Sequence, residues 1–90
     1  MLTEIKFSFS IGEEHPWAFM EWDELLQNIL VHEEKNRLPM GVSVDAVDGS
    51  GARLPVIVFV LRAANMQEKL GYFSEIISVV EEWVLHGKAY

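Results

Sequence analysis

Apolar and polar residues alternate near the start of the chain. Ile5, Phe7, Phe9 and Ile11 alternate with Glu4, Lys6, Ser8 and Ser10. A period of two over eight residues predicts a strand with one buried face, ended by Gly12. The period then changes to that of a helix. Ala18, Trp22, Leu25, Leu26 and Ile29 fall on one side, with Phe19 and Leu30 at its margin. Glu21, Asp23, Glu24, Gln27, Asn28 and Glu34 lie opposite, which predicts an amphipathic helix ending near Asn36, before Pro39. Pro16 suits a first helical turn. The other reading makes Trp17 to Met20 an irregular lead-in and starts the helix near Glu21.

Alternation returns at Met40, Val42, Val44 and Ala46, a second strand. Asp48-Gly49-Ser50-Gly51 is turn chemistry, because Asp and Gly tolerate positive φ. The run Leu54 to Leu61 is continuously apolar and rich in β-branched residues, which predicts a strand covered on both faces and central in its sheet. Pro55 lacks a backbone donor and belongs at the start of that strand. Asn65 and Glu68 form a capping pair for a last helix over Met66 to His86, with Gly87 as a left-handed residue after it. Two apolar stripes run along this helix: Met66, Leu70, Phe73, Ile77, Val80 and Val84, and beside them Tyr72, Ile76, Val79 and Trp83. Together they cover about half the cylinder, more than the roughly 100° a surface helix needs.

The element order is β-α-β-β-α in one domain spanning residues 1–90. A long helical crossover makes strands 1 and 2 parallel, and the doubly covered strand 3 fits between them. The expected fold is an α+β two-layer sandwich. Its three-stranded sheet has order 1-3-2 and both helices on one face, a ferredoxin-like split βαβ lacking its last strand. Strand 1 then has an open apolar edge. With the wide face of the last helix, that edge predicts a homodimer, with Tyr72, Ile76, Val79 and Trp83 in the contact.

Charge sharpens this picture. From Phe7 to Glu34 there are seven carboxylates (Glu13, Glu14, Glu21, Asp23, Glu24, Glu33, Glu34) and no Lys or Arg. Elsewhere seven acids face seven bases, so the formal charge of -7 is the charge of that one segment. Segregation of this kind creates a directional field that favours cationic partners. It argues against direct nucleic-acid binding, which needs clustered Lys and Arg. The longest apolar run is far shorter than the roughly 20 residues that cross a bilayer, and the N-terminal residues do not resemble a secretory signal. A cytoplasmic location without membrane contact is the expectation.

Candidate chemistry is sparse. The chain has no Cys, which excludes disulfides and thiolate metal sites. Glu13-Glu14-His15 and His32-Glu33-Glu34 place carboxylates beside imidazoles, but adjacent helical residues do not face each other, so no metal and no cofactor is implied. Gly49-Ser50-Gly51 precedes a strand, whereas phosphate-cradling loops precede a helix. Asp45 and Asp48 lack the spacing and closing Glu of a calcium loop. Trp22 and Trp83 lie on apolar faces and read as core. Trp17 falls on the acidic side, where a Trp is either an interface anchor or packed under its own turn.

These features converge on a small acidic interaction protein without catalytic function. It would bind and inhibit a basic partner of the nuclease or nucleic-acid-binding kind, as immunity proteins and phage inhibitors do. Glu13, Glu14, Glu21, Asp23, Glu24 and Glu34 would pair with Lys and Arg, and Trp17 would anchor. The alternative is a dimeric α/β domain that binds a small molecule, or performs simple catalysis, in a cleft between subunits.

Overall fold

The computed structural model describes residues 1–49 and 54–90. The strands are β1 (Thr3–Ser10), β2 (Val42–Asp48) and β3 (Val56–Ala63). The helices are α1 (Trp22–Lys35), α2 (Met66–Leu70) and α3 (Phe73–Leu85). The sheet has order β1-β3-β2 and both pairings are antiparallel, so the apolar run lies at its centre. Register stacks like on like. Ile5 faces Leu61, Phe7 faces Phe59 and Phe9 faces Ile57, while Val42, Val44 and Val47 oppose the same three residues from β2. Helices cover this face: Leu25 and Ile29 of α1 and Ile76, Val80, Trp83 and Val84 of α3 close the core against Ile57, Phe59 and Leu61. Pro55 precedes β3, and its carbonyl accepts the Ile11 amide. The turn residues Ser50 and Gly51 lie outside the described residues.

The other face of the sheet carries mostly polar and partly exposed side chains. Val60 is fully buried there beside Lys6, its neighbour in register, which reaches across to Asp45 at 3.3 Å. Arg62 donates to Glu4 at 2.7 Å and to Ser43 at 3.1 Å. The hydrogen bond and charge of Glu4 hold the Arg62 guanidinium above its usual range. So β3 is central as its sequence predicts, but only one of its faces meets helices.

The last helix differs from expectation. It breaks after Leu70, where Gly71 and Tyr72 make tighter i→i−3 bonds to Glu68 and Lys69. Glycine is the weakest non-proline helix former, and the break resets the rotation of α3 relative to α2. Leu70 and Tyr72 turn outward, and Phe73 drops edge-on against Phe7. The predicted capping pair holds at the N-terminus of α2, where Asn65 Oδ1 accepts the Glu68 amide at 3.2 Å. Gly87 does not take the left-handed form. Among the described residues only Gly41 and Met40 have positive φ.

On the helix side of β2, the Glu33 carboxylate accepts the Val44 amide at 2.6 Å, next to a register shift between Val44 and Ala46. A carboxylate on an edge amide blunts that edge against further pairing. β1 carries the other edge of the sheet.

Candidate functional site

Helix α1 is rotated away from the orientation its hydrophobicity predicts. Its buried residues are Leu25, Asn28, Ile29 and His32. Trp22 is 44% exposed and Leu30 57%, while Leu26 and Val31 are half-buried. Two polar side chains therefore point inward and two large apolar ones outward.

Hydrogen bonding explains the inward pair. Asn28 Oδ1 accepts the Tyr90 amide, and Asn28 Nδ2 donates to the Glu24 carbonyl at 2.7 Å. His32 Nε2 lies 2.8 Å from the Trp83 carbonyl, which can only accept, so that nitrogen carries the hydrogen. His32 Nδ1 is left to accept, with Asn36 Nδ2 at 3.2 Å and the Tyr90 hydroxyl at 3.3 Å. Buried polar groups persist where they are paired, and among the described residues no buried side-chain donor or acceptor lacks a partner.

Beneath α1 lies an aromatic cluster. The Trp17 ring sits 4.7 Å from His15, 5.6 Å from His32 and 6.1 Å from Trp83, centroid to centroid. Trp17 is fully buried, and its indole N–H donates to the Lys88 carbonyl at 3.0 Å. Gly87 passes against the ring so closely that a Cβ there would overlap it. His15 is spent in the same way as His32. Its Nε2 donates to the Val84 carbonyl at 2.6 Å and its Nδ1 accepts the Trp17 amide at 3.1 Å.

Depressions open on the surface around this framework, a small one between Trp22 and Gly49 and two that are larger. One, of about 520 Å³, runs along α1 and is lined by Asp23, Leu26, Gln27, Leu30, Val31 and Glu34. The other, of about 710 Å³, forms where the turn after β1 meets α3. Phe9, Val84 and Leu85 line it together with Glu13, Glu14 and Glu81. His15 also lines the second groove, but with both ring nitrogens held by backbone it has none left for proton transfer.

The residues singled out from the sequence separate into distinct places. Glu13 and Glu14 border the groove at α3. Asp23 and Glu34 border the depression on α1. Glu21 is the N-cap residue of α1 and makes no capping bond with its side chain, and Glu24 is exposed in the first turn. Trp17 is corrected outright: it is core and offers no surface to a partner. The lead-in at 17–20 is irregular, and that places the ring under the chain rather than on the acidic side of a helix. Trp22 is the reverse correction, an expected core residue that stands half in solvent. The expected dimer stripe also divides. Ile76 and Trp83 belong to the core, Val79 is half-buried, and only Tyr72 is well exposed.

Sequence reasoning missed Glu81, which joins Glu13 and Glu14 at one groove. The spacing of Phe73, Ile77 and Glu81 places it one helical step beyond the apolar line flanking β1, a signal that was there to be read. The inward turn of Asn28 and His32 carried no such signal, since their partners lie 62 and 51 residues away.

Among the described residues no group of three or more His, Asp or Glu side chains converges to hold a metal ion, and no helix is long and apolar enough to cross a membrane. No protein-family model, curated protein or solved structure matches this chain.

Proposed function

We propose that this protein is a non-catalytic interaction module that docks a basic protein partner on the outer face of α1 and inhibits it by occupying its cationic surface. One observation carries the reading: Leu30 is exposed, with half-buried Leu26 and Val31 beside it, between Asp23 and Glu34, while Asn28 and His32 take the inward positions. A sequence that breaks its own hydrophobic pattern on one helix face commonly does so where it functions. The exposed Phe19 and Trp22 lie at the N-terminal end of α1 around a separate depression, with Gly49 and Pro55. Apolar anchors framed by charge are the anatomy of a docking face, and carboxylates at its rim select Lys and Arg and speed their approach.

Leu30→Glu and the pair Asp23→Lys with Glu34→Lys test the proposal in separate ways. Both changes are on the surface, so each is expected to alter stability by about 0.5 kcal/mol or less. Immobilised wild-type protein is expected to retain basic proteins from a cell lysate at low salt and to release them as salt rises. Leu30→Glu should abolish retention at any salt, and the charge-reversed pair should lose the salt dependence with it. If both variants retain the same proteins, released at the same salt, α1 is not the docking face.

A further inference from the structure

We propose that β1 pairs antiparallel with β1 of a second copy about a two-fold axis through Phe7, joining two sheets into one. The open edge of the fold is its basis, independent of the docking face on α1, and register and charge select the pairing.

The odd-numbered residues of β1 lie opposite β3 in directly facing pairs, and the amide of Ile11 continues that series to the Pro55 carbonyl at 3.0 Å. In an antiparallel strand such bonding alternates, so the even-numbered residues Glu4, Lys6, Ser8 and Ser10 direct their N–H and C=O groups to the outer edge. Among the described residues no strand pairs with that edge. The edge of β2 is blunted by Glu33, whereas β1 has the length and regularity of a pairing template.

A two-fold pairing must place even residues opposite even residues, which leaves few registers. Centred on Lys6, it sets the two Lys6 ammonium groups face to face, and like charges directly opposite destabilise a sheet. Centred on Ser8 or on Phe9, it leaves Glu4 without a strand partner, and centred on Ile5 it faces Glu4 with the partner's Lys6 but leaves both Ser8 and Ser10 without one. Centred on Phe7, it opposes Glu4 to Ser10 of the partner subunit and Lys6 to the partner's Ser8. Every even residue of the strand is then bonded and no like charges meet. On the helix side Ile5 meets the partner's Phe9, and Phe7 meets the partner's Phe7 at a non-hydrogen-bonded position, where side chains come closest. These three residues are only half-buried in the single chain, although Phe7 already stacks on Phe59 at 5.6 Å. A second copy is therefore the occupant whose side chains match this edge at each position. Ile77, next to Phe73 on the same side of α3, would flank the joint. This replaces the stripe of Tyr72, Ile76, Val79 and Trp83 as the contact.

The test is sedimentation equilibrium at tens of micromolar on the intact chain and on charge variants of exposed β1 residues. Wild type is expected to dimerise. Ser8→Glu should tighten the dimer by facing Lys6 of the partner subunit, and Ser8→Lys should loosen it, each by about fivefold because two symmetric pairs change together. Ser10 faces Glu4 of the partner subunit, so Ser10→Lys should tighten and Ser10→Glu should loosen. This second pair of variants keeps the test decisive if circular dichroism shows a Ser8 variant to be unfolded. A monomeric wild type overturns the proposal, as does a dimer indifferent to all four changes. Weakening by both Ser8 variants would move the axis to Ser8, and the reversed order would move it to Lys6. Either outcome overturns the register.

Discussion

Replacing Trp17 with Ala should cost about 3–5 kcal/mol of stability, the range for deleting a large buried aromatic. Natural domains are stable by only about 5–15 kcal/mol, so the variant sits near the unfolding threshold. The ring contributes in two ways. It fills the space between His15, His32 and Trp83, and its indole N–H holds the Lys88 carbonyl. Truncation empties the first and leaves the second unpaired. Urea unfolding of the variant measures the sum. Trp22→Ala is the control, since that ring is partly in solvent and should cost clearly less. Equal losses at the two positions would mean that the burial assigned to Trp17 is wrong.

Gly41→Ala should be nearly as damaging, for a backbone reason. Gly41 has φ +79°, which L-residues rarely adopt, and it follows Met40 at φ +63°. A Cβ at Gly41 would also lie 2.5 Å from the Arg62 carbonyl oxygen, a main-chain atom of the central strand that cannot swing aside. The Arg62 amide donates to the Gly41 carbonyl at 3.0 Å, so relieving the overlap stretches that bond. Left-handed strain alone is worth about 1–3 kcal/mol, and the overlap brings the expected loss to about 3 kcal/mol or more. Gly12→Ala meets no atom within 4 Å and should stay within about 0.5 kcal/mol of wild type. Thermal unfolding of the two variants side by side separates steric from general effects. A neutral Gly41→Ala would show that the turn relaxes to another conformation.

The architecture was legible wherever one period dominated. Strict alternation set β1, the β-branched run put β3 at the centre, and Asn65 with Glu68 marked a helix start. What could not be read came from contacts distant in sequence. Trp17 stayed open between interface anchor and packed residue because its side depends on whether the helix includes it, and α1 begins only at Trp22. The burial of Trp17 depends on Gly87 and Lys88, the latter 71 residues away. The break at Gly71 was hidden inside an apolar repeat that runs unbroken through it, and one weak breaker does not disturb a periodicity count. The acidic segment was correct as a count of charges and wrong as a single face. Its carboxylates divide between α1 and the groove at α3, and Glu33 turns inward to bond the backbone of β2.

The opposed burial of the tryptophans has an optical consequence. Trp17 and Trp83 sit in the core with their indole N–H groups held by carbonyls, while Trp22, the first residue of α1, stands partly exposed over Gly49. Emission from the first two should be shielded from iodide, and that from Trp22 should be quenched. The quenchable fraction of the protein's own fluorescence therefore reports on the N-terminal end of α1, and its loss on adding a partner would mark occupation of that end without any attached dye.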